Sequence, residues 1–238
     1  MSDNAGPLEP PDRAAFLNAR TNGYANVNLA GIKVQKAESE EDFKIVAQLR
    51  EAGFSRVSRN AEGGGTASPN RTWLDDIDHQ LGIFSLIGYD DMGTPIATMR
   101  VQDGRVADLE LERFVSVDSL LTHEQKPAMQ CARLSVIKSS QSANVMFAVF
   151  KSAWLWCLRE EMRSIIIATP QWSKHVYDYM LFADFGAKGC FLHDFAGGAP
   201  HVSMQMPVAK AEEIWRAENN PLCEQFFDIR HPALDFEQ

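Results

Sequence analysis

One long apolar segment constrains the fold of this chain more than any other feature. As a helix, residues 143–162 would carry apolar side chains on more than one face, which is typical of a largely buried helix. A strand pattern precedes this segment at residues 132–137, and the short apolar run Ile165–Ala168, typical of a central strand covered on both faces, follows it. We therefore expect a strand–helix–strand unit at the centre of the domain.

The other patterns along the chain mix strands and helices. Residues 28–36 alternate apolar and polar side chains like a first strand, and Ser39 begins a helix that is expected to end near Gly53. Two apolar runs, 83–89 and 95–101, flank a turn and predict a hairpin. Further elements are expected at 173–183 (helix), 189–195 and 201–207 (strands), and 209–217 (helix). This order predicts a mixed α/β layer fold.

The N-terminal residues differ in composition from the rest. Residues 1–26 are rich in Pro, Asn, Asp and Gly and show no period, so we expect a flexible N-terminal arm followed by a single domain over residues 27–238. No signal-peptide pattern and no apolar run of about 18 residues is present, so we expect no membrane span and a cytoplasmic protein.

Charge and ligand-type residues argue against several kinds of partner. The net charge of -9 argues against nucleic acid, which needs a surplus of Lys and Arg. It argues more weakly against an acidic carrier protein, because a local basic patch is enough for docking. The four cysteines and six histidines are scattered without metal-ligand spacing, so we expect neither a metal site nor a disulfide framework.

Four short motifs occur one after another along the chain. They are Arg50-x-x-x-Phe54, Asp75-x-x-Asp78, Thr98-Met99-Arg100 and Arg133-Leu134-Ser135. With the order of strands and helices around them, these motifs resemble the GNAT superfamily. Within it, the chain resembles the acyl-homoserine-lactone (autoinducer) synthases and the N-acyl amino acid synthases.

The resemblance implies a fold and an activity. The fold would be a GNAT-like (acyl-CoA N-acyltransferase) three-layer α/β fold, with a mixed, mostly antiparallel twisted sheet flanked by helices. The activity would be N-acyl transfer of a fatty acyl group to an amino-acid-like amine, with direct attack on the thioester carbonyl. Acyl carrier protein is the preferred donor, acyl-CoA is the other co-substrate considered, and no bound cofactor or nucleic-acid partner is expected.

The same resemblance assigns roles to individual residues. Catalytic roles fall on Gln130, Arg133, Arg100 and Tyr179, the last as an acid for the leaving thiolate. Substrate binding falls on Arg50, Phe54, Asp75, Asp78, Thr98 and Ser135. The phosphate of the acyl donor would lie against Ser139, Ser140, Ser142 and Asn144 at the start of the long helix.

Two departures from the family pattern bear on the chemistry. Gln130 stands where the family usually has Glu, and an amide cannot take a proton from an attacking ammonium. Proton removal would then fall to water or to a carboxylate such as Glu110 or Glu112. Residues 138–144 contain no glycine for a tight pyrophosphate cradle, which fits the single phosphate of a phosphopantetheine arm better than CoA.

Two other functions stay open at this level. One is a catalytically degenerate GNAT-fold protein that binds an acyl compound or a partner, and the other is an acetyl-CoA-dependent N-acetyltransferase. Two residue sets also carry two interpretations each. A carrier-docking patch or a solvated face would comprise Lys138, Lys151, Arg159, Arg163 and Lys174. An acyl tunnel or ordinary packing would involve Phe147, Phe150, Trp154 and Trp156.

Overall fold

The computed structural model describes residue 24 and residues 26–60, 73–185, 190–193 and 199–236. The strands in these ranges are β1 (Lys33–Lys36), β2 (Ile83–Tyr89), β3 (Pro95–Asp103), β4 (Ala128–Val136), β5 (Ser164–Pro170), β6 (Ala183–Asp184), β7 (Phe191–His193) and β8 (Ala199–Pro207). The α-helices are α1 (Glu40–Asn60), α2 (Val117–Leu120), α3 (Ser142–Arg159), α4 (Lys174–Tyr179) and α5 (Ala211–Ala217). Two short 3₁₀ helices, Asp76–His79 and Glu110–Arg113, carry acidic residues discussed below.

All the described strands belong to one mixed sheet. The order is β1-β2-β3-β4-β5-β8-β6, and β7 pairs with the first part of β8. Only β4 and β5 run parallel among the described pairs, and α3 connects them. A parallel pair needs such a crossover connection, so the expected strand–helix–strand unit is present.

Helices cover the sheet on both faces. Leu86 of β2 lies in the same buried cluster as Val145 and Val149 of α3. Its neighbour Ile87 lies in the cluster that contains Val46 of α1. Since successive side chains of a strand point to opposite faces, α3 and α1 cover opposite faces and the fold has three layers.

The strands β4 and β5 separate halfway along their length. Their pairing joins Ala128–Cys131 to Ser164–Ile167, although β4 continues to Val136 and β5 to Pro170. On the other side of β4, one extra residue interrupts the ladder, so that Arg133 and Leu134 together face Met99. This β-bulge has Arg133 in the left-handed region at φ 55°. The bulge and the opening together form the framework of the site.

The observed architecture confirms the predicted three-layer, mostly antiparallel fold, with differences at the ends of elements. The helix predicted to end near Gly53 continues to Asn60. The helix predicted over 173–183 ends at Tyr179, because Leu181 adopts φ 59° and the amide of Phe182 returns to the carbonyl of Tyr177. The expected N-terminal arm lies almost entirely outside the described residues.

Gly88 of β2 offers a test of how α3 packs on the sheet. A Cβ atom there would lie 2.5 Å from Val145 Cγ1 and 2.7 Å from Val149 Cγ2. We predict that Gly88→Ala lowers the free energy of unfolding by about 1–3 kcal/mol through overpacking, as measured by urea denaturation. In a Val145→Ala background the same substitution should cost clearly less, because one of the two clashing methyl groups is gone. Equal costs in the two backgrounds would show that the helix and strand do not meet there.

Candidate active site

Six charged side chains from five parts of the fold meet in one buried network. The three cations are Arg50 on α1, Arg100 on β3 and Arg133 at the bulge of β4. The three anions are Asp75, Asp78 and Glu110, from the two 3₁₀ segments and the residue before the first of them. Their formal charges cancel, which satisfies the requirement that buried charges be paired.

Asp78 is the centre of this network. Arg50 binds both of its oxygens, at 2.8 and 3.0 Å, and Arg100 also binds both, at 2.9 and 2.8 Å. The side chains of Arg50 and Asp78 are fully buried. Burial alone would raise the pKa of Asp78, but the hydrogen bonds from the two arginines outweigh it and hold that pKa well below its usual range.

The network reaches the bulge through Glu110 and Asp75. Arg133 donates to Glu110 through Nε at 3.2 Å and Nη2 at 2.6 Å, and Nη2 lies 3.4 Å from Asp75. Arg100 donates to the other Asp75 oxygen at 2.6 Å. Burial lowers the pKa of Arg133 to about 10, against the attraction of Glu110. The guanidinium therefore stays protonated at neutral pH.

Two buried glutamines fix the position of Glu110. The amide oxygen of Gln130 accepts a hydrogen bond from the backbone N–H of Leu111 at 2.9 Å. Gln102, its partner across the β3–β4 ladder, accepts from the N–H of Glu110 at 3.4 Å and donates to the carbonyl of Asp108 at 3.2 Å. Gln130 thus holds the segment that carries Glu110, and Glu110 supplies the carboxylate beside Arg133. Glu112, the other carboxylate considered, is exposed and accepts from the N–H of Asp118.

A cavity of about 290 Å³ opens beside the β4 bulge, between the separating strands. Its apolar lining includes Met99, Leu134, Val136, Met146, Phe150 and Val176. Its polar lining includes Glu110, Gln130, Arg133, Thr169, Tyr177, His193 and His201. Trp172, also part of the lining, is 63% exposed and therefore lies at the rim. An apolar cavity with a few convergent polar groups is the usual form of a small-molecule site.

The predicted site residues lie in the cavity wall, in the ion network or in the packed interior. Gln130, Arg133 and Phe54 line the cavity. Arg50, Arg100 and Asp78 are enclosed in the ion network, and Asp75 is one-third exposed at its edge. Thr98 is fully buried, and the hydroxyl of Ser135 donates to the carbonyl of Leu49, which joins β4 to α1. Arg100 is thus surrounded by carboxylates, and its position fits support of Asp75 and Glu110 rather than contact with a substrate.

The two tyrosines of α4 point in different directions. Tyr179, the predicted acid, packs against the rings of Tyr24 at 5.3 Å and Phe147 at 6.2 Å. Tyr177 lines the cavity, with its ring 5.8 Å from that of Phe150. Residues two apart on a helix lie on opposite sides of it, so only one of them can face the cavity. Burial raises the pKa of Tyr177 above its usual range and that of Tyr179 to about 12, and of the two rings it is that of Tyr177 that lines the cavity.

The side chains predicted to bind a donor phosphate already hold the start of α3. The hydroxyl of Ser142 accepts from the N–H of Ser139 at 2.7 Å and lies 2.9 Å from the carbonyl of Ile137. The Asn144 side chain accepts from the N–H of Asn28 at 3.1 Å and donates to Gln141. Ser140, in the loop between Ser139 and Ser142, is exposed. These bonds fix the loop before α3 and its contact with Asn28, and among the described residues no side chain caps the helix N-terminus itself.

Three of the basic residues considered for a docking patch bind other residues of the chain. Lys151 is buried and donates to the carbonyls of Gln225 at 2.6 Å and Ile229 at 2.7 Å. Arg159 pairs with Asp235 at 2.9 Å. Lys174 pairs with Asp178 and Asp184 at 2.6 and 3.0 Å. Lys151 is therefore not part of a docking surface, while a patch that includes the other four basic residues stays a prediction.

The aromatic residues of α3 serve mainly in packing. Trp156 meets Phe84 and Trp154 meets Phe227, both in edge-to-face contacts. Of the four aromatic residues considered for an acyl tunnel, Phe150 is the one that lines the cavity.

Sequence reasoning missed the two histidines of the cavity. His193 Nε2 lies 3.7 Å from Glu110 Oε1, and its ring centroid lies 4.9 Å from that of His201. Burial lowers the pKa of His201, whose Nδ1 lies 2.7 Å from the carbonyl of Ala199. The available signal was the pairing of β7 with β8, which makes His193 and His201 diagonal neighbours on adjacent strands.

Neither a metal site nor a membrane helix is found in the part of the chain that the structure describes. No group of three or more His, Cys, Asp or Glu side chains there is arranged to hold a metal ion. No helix there combines the length and the apolar character needed to cross a membrane.

The central position of Asp78 leads to a prediction about stability. Asp78→Asn removes the negative charge that compensates two buried arginines. We predict a loss of about 3–5 kcal/mol of unfolding free energy at neutral pH. The matched change Asp75→Asn, at a partly exposed carboxylate, should cost much less. Because the folded pKa of Asp78 is lowered, its contribution is fully present above the pKa of an unfolded Asp, about 4, and is lost as the pH falls below it. Urea denaturation between neutral and acidic pH measures both effects, and equal costs for the two substitutions would contradict the assignment.

Comparisons with known proteins bear on the fold. No family model matches the chain, and a search of curated proteins finds no match. FeeM, an N-acyl amino acid synthase from uncultured soil microbes, superposes with a TM-score of 0.61 at 10% identity, covering 76% of this chain and 93% of FeeM. BjaI, a CoA-dependent acyl-homoserine lactone synthase, gives a TM-score of 0.55 at 9% identity, covering 80% of this chain and 90% of BjaI.

A third solved structure represents the wider superfamily. An acyl-CoA N-acyltransferase from Pseudomonas aeruginosa gives a TM-score of 0.50 at 14% identity, covering 73% of this chain and 97% of that protein. With the sheet order, the three layers and the separation of β4 from β5, these likenesses show that the chain has the GNAT-like acyl-CoA N-acyltransferase fold.

Proposed function

We propose that this protein is an N-acyltransferase that moves a fatty acyl group from a thioester to an amino-acid-like amine. One observation carries the proposal. The bulge at Arg133 and Leu134 brings an interrupted strand edge, a guanidinium and a carboxylate to the same apolar cavity. The solved neighbours of the same fold are named as acyltransferases and acyl-amino-acid or acyl-lactone synthases, which supports this class of reaction.

The cavity suits the acyl group. Its volume of about 290 Å³ lies near the lower end of the range for ligand sites, about 300–1,000 Å³. Side chains of β4, α3 and α4 supply the apolar wall, including Leu134, Met146 and Val176. Burial of an alkyl chain there is favourable by roughly 0.8 kcal/mol per methylene.

The bulge suits the thioester carbonyl. The bulge lies where β4 no longer pairs with β5, and both Arg133 and Leu134 line the cavity, so we place the carbonyl against the β4 backbone at Leu134. An oriented N–H donor next to an apolar wall stabilises the oxyanion that forms when an amine attacks the carbonyl. The reaction then needs no nucleophilic side chain.

The charged pair at the bulge suits the acceptor. Glu110 and Arg133 both line the cavity, so a carboxylate and a guanidinium face the ammonium and the carboxylate of an amino-acid-like substrate. Their mutual hydrogen bonds orient both groups before a substrate arrives. Arg100, Asp75 and Asp78 act from behind by fixing this pair.

For the donor we propose acyl carrier protein in preference to acyl-CoA. The loop before α3 has no glycine, and its Ser139, Ser142 and Asn144 side chains are bonded within the chain. Such a loop lacks the glycines of a tight pyrophosphate cradle, while a phosphopantetheine arm carries a single phosphate. Because one neighbour is named as CoA-dependent, both donors belong in the test.

A binding protein without catalysis is the second candidate. The observation that favours it is Gln130, which takes the place of a carboxylate and is engaged with the N–H of Leu111. In this case the cavity would retain an acyl compound without transfer.

Purified protein tests the proposed transfer directly. We predict that mass spectrometry detects N-acylated amines after incubation with acyl carrier protein thioesters and a mixture of amino acids, with a higher kcat/KM than with the matching acyl-CoA. Arg133→Gln should lower kcat/KM at least about 30-fold, since a charge-assisted hydrogen bond is worth roughly 2 kcal/mol. Arg163→Gln, at an exposed arginine, is the matched control and should leave it unchanged.

The double variant Arg133→Gln with Glu110→Gln is the control for folding, because it removes both partners and leaves neither as an unpaired buried charge. It should keep the cooperative unfolding of the wild type and lose activity. Saturable acyl binding with no transfer to any amine, from either donor, would favour the binding protein. Neither binding nor transfer would contradict both candidates.

A further inference from the structure

His193 and Glu110 form a close pair inside the cavity. The imidazole Nε2 lies 3.7 Å from Glu110 Oε1, and both side chains are largely buried, at 9% and 4% exposure of the residue. Both also line the cavity that contains the bulge. An imidazole beside a carboxylate, facing an apolar cavity, is a common arrangement for proton transfer.

The groups around His193 come from three directions. Glu110 and Phe114 approach from the 3₁₀ segment and the residue after it, with the Phe114 ring at 4.6 Å. His201 approaches from β8 at 4.9 Å between centroids. Arg133 reaches the same Glu110 oxygen from β4 at 2.6 Å. His193 therefore lies beside a carboxylate that also binds a guanidinium.

We infer that His193 is the residue that accepts the proton of the amine substrate, and that Glu110 stabilises the resulting imidazolium. This inference rests on the proposed acyl transfer. The ammonium gives one proton to His193, and the free amine attacks the thioester carbon. The C–N bond forms and the C–S bond breaks, the new amide nitrogen loses a second proton to water, and the thiolate takes the first proton back from the imidazolium. One proton is released to solvent overall.

Other cavity residues fit this task less well. Gln130 has no basic atom and already accepts from the N–H of Leu111. Glu110 already accepts hydrogen bonds from Arg133 with both oxygens. His201 Nδ1 lies 2.7 Å from the carbonyl of Ala199. Among the described residues, the histidine that pairs with Glu110 is His193.

The test compares His193→Gln with the wild type in the acyl-transfer assay across pH. We expect kcat for an alkylamine acceptor to fall about 10²–10⁴-fold, and the rise of the wild-type rate with pH to be lost. Methoxyamine, which is already unprotonated at neutral pH, should react with a much smaller loss, because no proton has to be removed before attack. Binding of an unreactive acyl thioether, measured by calorimetry, should be unchanged. His123→Gln, at an exposed histidine, is the matched control.

A second measurement does not depend on turnover. Nuclear magnetic resonance titration of His193 should show a lower pKa in Glu110→Gln than in the wild type and no change in Glu112→Gln. An active wild type in which His193→Gln has normal kcat, or in which His201→Gln alone loses activity, would overturn the inference and leave the proposed function standing. An inactive wild type would remove both, and an unchanged His193 pKa in Glu110→Gln would overturn the pairing itself.

Discussion

The buried carboxylate of Asp78 is the interaction on which the rest of the site depends. It binds Arg50 from α1 and Arg100 from β3, so a helix on one face of the sheet is fixed to a central strand. Two guanidinium groups without this carboxylate would be buried charges without adequate compensation. Asp78 therefore acts as a structural requirement, and the position of the outer charges follows from it.

From Asp78 the same constraint extends to the chemistry. Arg100 holds Asp75 and approaches Glu110 at 3.5 Å, while Gln102 and Gln130 hold the backbone that carries Glu110. Glu110 in turn orients Arg133 at the bulge. Gln130 itself carries no carboxylate, and the cavity receives one from Glu110 on a different segment.

The sequence predicted the architecture and most of the network, but not its internal geometry. Periodicity was sufficient for the buried helix and its two strands, because α3 is apolar on more than one face. The motif order identified Arg50, Asp78, Arg100 and Arg133, but could not show that carboxylates neutralise all three arginines. Such information depends on contacts between residues distant in sequence, which local patterns do not contain.

Two further differences have the same origin. The resemblance implied Tyr179 as the acid, but the ring of Tyr179 packs against that of Tyr24 and it is Tyr177 that lines the cavity. His193 gains its role from the pairing of β7 with β8, which brings it beside Glu110.

The central claim is that the β4 bulge holds the reacting carbonyl. A crystal structure with an unreactive ketone analogue of the acyl thioester tests it most directly. The account predicts the alkyl chain between β4 and β5, with the carbonyl oxygen about 2.9 Å from a backbone N–H of the bulge. An analogue bound with its carbonyl away from Arg133 and Leu134 would contradict it.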